Sequence, residues 1–215
     1  MPIVTISREF GAGGSSVAGI VAAELKAEVV DKKLIDDVAK RLSMRPSDVE
    51  AEVERPRSIL ERLVRSFASL EPAMGAAWAP PYPDPFFDPR KEMIHLTEEI
   101  IREVAGSGNV VIVGRGAGFV LADNPNVFRV FLRAPKPVRI RTLMARFDMT
   151  EPEARRKMHE TDSNRAAYIK QLYGQDWCDP DQYDLVVSTN RVSYETAAQM
   201  TLTGARARAM VPARG

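Results

Sequence analysis

The run Arg8-Glu9-Phe10-Gly11-Ala12-Gly13-Gly14-Ser15-Ser16 sets three glycines and two hydroxyls directly behind the β-branched stretch Ile3-Val4-Thr5-Ile6. A strand that ends in a glycine-rich turn and opens a helix aims several backbone N–H groups and the positive end of a helix dipole at one point. Such a point holds a phosphate. Gly11, Ala12, Gly13, Gly14, Ser15 and Ser16 are therefore the expected phosphate contacts, with the Ser15 hydroxyl the expected magnesium ligand. Against the pattern GxxxxGK[ST], Gly14 stands where the lysine belongs and Arg8 where the first glycine belongs. Arg8 is the cation within reach to replace that charge, because guanidinium pairs well with phosphate oxygens. The plain alternative is a tight strand-to-helix connection that binds nothing.

Other charged residues stand at ends of expected strands. Arg115 lies between Gly114 and Gly116 after Asn109-Val110-Val111-Ile112-Val113, where a guanidinium must face a ligand or a carboxylate. Asp31 follows Glu28-Val29-Val30 and is either an acceptor-orienting or water-mediated magnesium group, or the N-cap of a helix over Lys32 to Leu42. Arg139, Arg141, Arg146, Arg155 and Arg156 form a cluster suited to triphosphate, although each alone reads as a solvated helix face. His95 and His159 have no metal-ligand spacing, and Trp177 with Cys178 reads as a packed corner.

The elements that must position these groups are legible from periodicity. Val17, Ile20, Val21 and Leu25 recur at helical spacing behind Ser15 or Ser16. Phe128 to Leu132 and Asp184 to Val187 are further strands, and helical stretches between successive strands predict right-handed βαβ units in a parallel sheet. Ligands of such sheets bind at the carboxyl ends of the strands. Ser47 to Glu54, Ser58 to Leu70 and Lys91 to Ala105 are helical candidates. Glu71 to Arg90 is an irregular run of prolines and aromatics, whose rings line a substrate, form a subunit contact that makes a homo-oligomer, or pack on one another. Thr150 to Gly174 is a long charged helix placed as a lid. Gly204 to Gly215, small residues with scattered arginines, reads as a frayed tail.

The stretch Ile3 to Ala22 centred on Ile-Ser-Arg-Glu-Phe-Gly-Ala-Gly-Gly resembles the cytidylate kinase-like family of P-loop proteins. So do Val29 to Ile35, Val111 to Ala117, Asp162-Ser163-Asn164-Arg165 and Tyr183 to Asn190. The resemblance implies a P-loop NTPase fold of three α/β/α layers with a parallel central sheet, a monophosphate-binding excursion over about 43–90 and a helical lid over about 146–178. It implies ATP and Mg²⁺ as cofactors and a small nucleotide as partner, with CMP or dCMP the leading acceptor. By the same pattern Asp31, Arg115, Asp162 and Arg165 meet the acceptor, and Arg115 and Arg165 join Arg8, read above from the missing lysine, as the expected catalytic cations. Cytidylate kinases also resemble one another in a phosphate-loop lysine and a Gly-Arg-Asp. This chain has Gly14 and Gly116 at those places, and Asp37 near where an acceptor-binding arginine falls. A non-catalytic nucleotide-binding regulatory module with a degraded loop is the competing reading.

Composition agrees with one domain over 1–215. The chain of 215 residues is long enough for a sizeable core and short for two. A formal net charge of +1 supplies no global field for nucleic acid or an anionic membrane. One cysteine leaves no intramolecular disulfide, which with the absence of a long apolar run sets the expectation of a cytoplasmic protein, neither exported nor anchored.

Overall fold

A computed structural model describes residues 2–31 and 89–210; the excursion and most of its flanking helical candidates, Asp37 included, lie outside the described residues. The chain runs β1 (Ile3–Arg8), α1 (Gly14–Leu25), β2 (Glu28–Val30), α2 (Pro89–Ser107), β3 (Val110–Val113), α3 (Ala117–Val120), β4 (Val127–Arg133), α4 (Lys136–Phe147), α5 (Glu151–Tyr173), a 3₁₀ turn at Pro180–Gln182, β5 (Leu185–Ser188) and α6 (Tyr194–Met210).

All four strand pairings are parallel, and the sheet order is β2-β3-β1-β4-β5. Parallel strands are covered on both faces, so each must be apolar on both sides. The sequence obeys this. Ile3, Val110, Ile112, Val127 and Phe131 face a core under α2, α3 and α5, while Val4, Ile6, Val111, Val113, Val130 and Leu132 face another under α1 and α6. A smaller cluster of Ile140, Leu143, Ala154 and Met158 glues α4 to α5, with Phe10 packed against it. The result is the expected three-layer α/β/α sandwich. No helix among the described residues is long and apolar enough to cross a membrane.

Polar side chains fix the joins. Asn109 Nδ2 donates to Leu25 O at 3.1 Å and Lys26 O at 3.0 Å, satisfying carbonyls that the end of α1 leaves open. Asp184 accepts from the Arg129 N–H at 2.8 Å while its own N–H donates to Arg129 O at 2.8 Å, which pins β5 in register on β4. Glu153 Oε2 accepts from the Thr150 N–H at 2.9 Å and the Thr150 hydroxyl at 2.6 Å, closing the amino end of α5.

One sequence expectation is corrected here. Gly204 to Met210 is not frayed but continues α6, with Ala205 1% exposed. Its small residues are small for packing: a Cβ on Gly204 would lie 2.1 Å from Cζ of Phe128.

Candidate active site

From β1 the chain turns into one branch, through β2 and β3, and later crosses to β4 and β5 on the other side. The carboxyl ends of the strands flanking that reversal open a crevice, the place where sheets of this kind hold ligands. Ser7 and Arg8 from β1, Gly114, Arg115 and Gly116 after β3, and Thr161, Asn164, Arg165, Tyr168 and Ile169 from α5 line a cleft, floored by Trp177.

The glycine-rich turn lies beside it. Gly13 has φ +82°, a conformation glycine alone takes without strain, and the ring of Tyr194 fills the place of its missing Cβ. Gly13 caps α1 without a side-chain acceptor, and no acidic residue stands in the first turn. The first-turn amides and the dipole are thus presented to an anion with no carboxylate competing. Ser15 and Ser16 are exposed there, whereas Ala12, Gly13 and Gly14 are buried. Thr189, behind β5, braces the turn by donating from Oγ1 to Ala12 O at 3.1 Å.

Arg8 leaves β1 between two glycines. A Cβ on Gly14 would sit 2.6 Å from its Cγ, and one on Gly114 would sit 2.0 Å from its Nη1. Its Nη2 lies 3.9 Å from Oδ1 of Asp31. Arg115 has φ +56° and is flanked by Gly114 at +76° and Gly116 at +70°. Three successive left-handed residues turn the chain sharply off β3, and a non-glycine held so costs on the order of 1 kcal/mol.

Arg165 crosses from α5 to the loop, its Nη1 donating to Arg8 O at 2.9 Å and its guanidinium lying 5.8 Å from the ring centre of Phe10. The structure therefore brings Arg8, Arg115 and Arg165 together on one cleft, with Asp31 at its rim.

Asp162 is placed differently from the other acceptor-side residues. Its Oδ1 accepts from the Phe10 N–H at 2.8 Å and its Oδ2 accepts from Arg139 Nη1, so the carboxylate faces the turn and is not among the lining groups. Arg139, which the sequence reading left as a solvated face or a phosphate contact, is 4% exposed. It donates from Nε to Ala134 O at 2.9 Å and from Nη1 to Phe10 O at 3.2 Å, and lies 3.6 Å from Glu9. Glu9 in turn accepts from the Ala134 N–H at 2.9 Å. This hub of Glu9, Arg139 and Asp162 escaped the sequence reading because its members lie far apart in the chain; the only local sign was a pair of acidic residues near arginines.

Tyr168 and Tyr173 flank Gly116, and burial pushes the phenol of Tyr173 well above its usual range, with the neighbouring Tyr168 and Glu98 adding to the shift. It is a neutral donor to Glu98 at 3.1 Å, not a base. Trp177 does pack as a corner, edge-on to Phe131 at 5.5 Å, yet it also floors the cleft. His95 and His159 are exposed away from it.

A parallel sheet of this order, with a glycine-rich turn between its central strand and a helix, defines a phosphate-loop protein of the kinase-fold class. The chain belongs to the cytidylate kinase-like family, whose model matches residues 3–191. It is 35% identical over 100 residues to the cytidylate kinase of Methanopyrus kandleri, a match covering 43% of this chain and 52% of that protein. The chain thus spans about half the length of that curated relative. A crystal structure of an uncharacterized protein from Eubacterium ventriosum superposes with TM-score 0.69 at 24% identity, covering 96% of this chain and 99% of the other. Shikimate kinase from Acinetobacter baumannii in complex with shikimate superposes with TM-score 0.51 at 11% identity, covering 98% and 96%. These likenesses speak for the fold.

Proposed function

We propose that the protein transfers a phosphoryl group from ATP to a nucleoside monophosphate, with CMP or dCMP the first acceptors to try. One observation carries the reading: three arginines from three separate elements converge on a cleft that begins where the glycine-rich turn ends. Phosphoryl transfer needs little beyond alignment of donor and acceptor and neutralisation of charge on the group in flight. That is what the residues at hand offer.

In this reading the amides from Gly11 to Ser16 hold the donor phosphates, and Arg8 faces the end of the triphosphate. Arg115 and Arg165 hold the acceptor phosphate and carry charge in the transition state. Asp31 orients the acceptor or a metal-bound water. Mg²⁺ supplies charge neutralisation and a template for the phosphates when bound, and the exposed Ser15 hydroxyl, beside the amides that hold the phosphates, is the side chain that would hold it. Asp162 is a positioning residue: it fixes the α5 segment that carries Arg165 against Phe10. Thr161 and Asn164, rather than the Asp162 carboxylate, are the polar α5 groups offered to an acceptor base or sugar.

Incubating the protein with ATP, Mg²⁺ and a panel of nucleoside monophosphates tests this. Acceptor-dependent ADP formation supports it, with preference for the cytidine nucleotides supporting the finer claim. A thermal shift with ATP but no transfer to any acceptor would favour the regulatory module, by mass action on the folded state.

A further inference from the structure

The missing lysine has a physical cause in the structure. Position 14 opens α1, and a side chain there has to leave toward the space in which the Arg8 stem lies: Cγ at 2.6 Å, Cβ and Cδ at 3.1 Å from the ideal Cβ of residue 14. A real Cβ does not come within 2.6 Å of another carbon, and the Arg8 backbone is held at the end of β1 by its pairing with Leu132 of β4. The far end of the same side chain occupies the place of a Cβ on Gly114, 2.0 Å from Nη1. Two glycines on two different elements are therefore the housing of one guanidinium.

We infer that the phosphate-loop cation of this protein has been transposed from the helix to the strand: Arg8 does the work of the absent lysine, Gly14 and Gly114 make room for it, and Asp31 holds it until phosphate arrives. This rests on the phosphoryl-transfer reading for its purpose, though not for its test. The arginine is placed at the seam between the turn, which its stem touches at Gly14, and the cleft, which its guanidinium lines beside Gly114 and Arg115. From there it reaches the group passing between donor and acceptor. The contact with Asp31 is 3.9 Å between partly exposed side chains, 19% and 28%, too long for a hydrogen bond and weak enough to be exchanged for a phosphate oxygen.

The sequence makes the test symmetrical. Arg8→Gly together with Gly14→Lys turns residues 8–15 into GEFGAGKS, a complete GxxxxGK[ST] pattern. Binding of ATP with Mg²⁺ is measured by calorimetry for the full chain, Arg8→Gly, Gly14→Lys and the double variant, with the melting transition of each recorded first. Loss of a charge-assisted contact predicts that Arg8→Gly binds about 10–100-fold more weakly. Gly14→Lys also binds at least about tenfold more weakly, and melts lower, because the two stems collide. The double variant regains affinity to within about tenfold of the unaltered chain and melts above Gly14→Lys.

Unchanged affinity in Arg8→Gly overturns the inference, as does tighter binding by Gly14→Lys, which would mean a merely degraded loop. If Gly14→Lys does not fold, the double variant decides alone: folded and ATP-binding, it sustains the exchange; folded without binding, it refutes it. ATP binding that follows this pattern without transfer to any monophosphate would remove the proposed reaction and leave the transposed cation standing. No ATP binding by the unaltered chain would remove both.

Discussion

Arg139 shows how far a residue's role can depart from its neighbourhood in sequence. In a charged stretch it looks like surface, yet its guanidinium hydrogen-bonds two carbonyls and the Asp162 carboxylate and pairs with Glu9 inside the join between the phosphate turn and α5. Removing one partner of a buried, hydrogen-bonded pair leaves the other charge uncompensated, so Arg139→Ala should cost about 3–5 kcal/mol, with Arg139→Met milder because it keeps the volume. Urea unfolding measures both; equal and small losses would mean the pair is solvated. Gly114→Ala is the opposite kind of case, a single methyl. At φ +76° it strains the backbone by roughly 1–2 kcal/mol, and it expels the Arg8 guanidinium from above the strand end. Stability should fall by that order and ATP affinity with it, both read from one titration of melting temperature against ATP.

The turn residues were legible because their signal is local: three glycines, two serines and a β-branched strand fix the backbone within residues 3–16. Arg115 was legible for the same reason, between its glycines. Asp162 was legible as important but not in its direction, because which way a carboxylate on a helix faces depends on Arg139 and the Phe10 amide, and no spacing rule connects those to it.

Among the elements, α5 takes most of its definition from its own ends. Glu153 reaches back to Thr150, and this bond holds its carboxyl below the usual range. A carboxylate whose folded-state pKa is depressed adds stability above its unfolded value, near ~4.3, and loses it as the pH falls through the lower folded value. Glu153→Ala should therefore lower the melting temperature near neutrality, and the gap from the unaltered chain should close below about pH 4. A gap that persists in acid would assign the effect to packing instead. In α6, two effects oppose each other at Gly204. Helix propensity favours Gly204→Ala by about 1 kcal/mol, but the new methyl would enter the Phe128 ring, and overpacking of a core costs about 1–3 kcal/mol. Net destabilisation is expected by thermal melting. The misreading of this segment as a tail has the same origin: a small residue can be small because nothing touches it or because a ring does, and sequence alone does not separate the two.

At the scale of the molecule, the order β2-β3-β1-β4-β5 puts the switch in strand order beside β1 and so fixes where a ligand can sit before any side chain is considered. The alternation of strands and helices in the sequence implied a parallel sheet with ligands at its carboxyl ends, but not this strand order. Nor did it imply the tie between α5 and the turn. With Asp162 and Arg165 both bonded to the backbone of residues 8–10, α5 and the phosphate turn form one unit across the cleft. Nucleotide binding should then protect amides of both segments together from hydrogen exchange, rather than those of the turn alone; protection confined to residues 11–16 would show that they move independently.

The stem of Arg8 resting on Gly14 also bears on descent. A chain with arginine on the strand and lysine on the helix would crowd two stems into one space, and a chain with glycine at both places would lack the cation that either supplies. Each single exchange between the two forms passes through one of these, so each form is a local optimum that point substitution leaves only at a loss. Loops of the two kinds are expected to persist as separate lineages within one fold, each conserving as a pair what looks, one position at a time, like an unrelated arginine and a spare glycine.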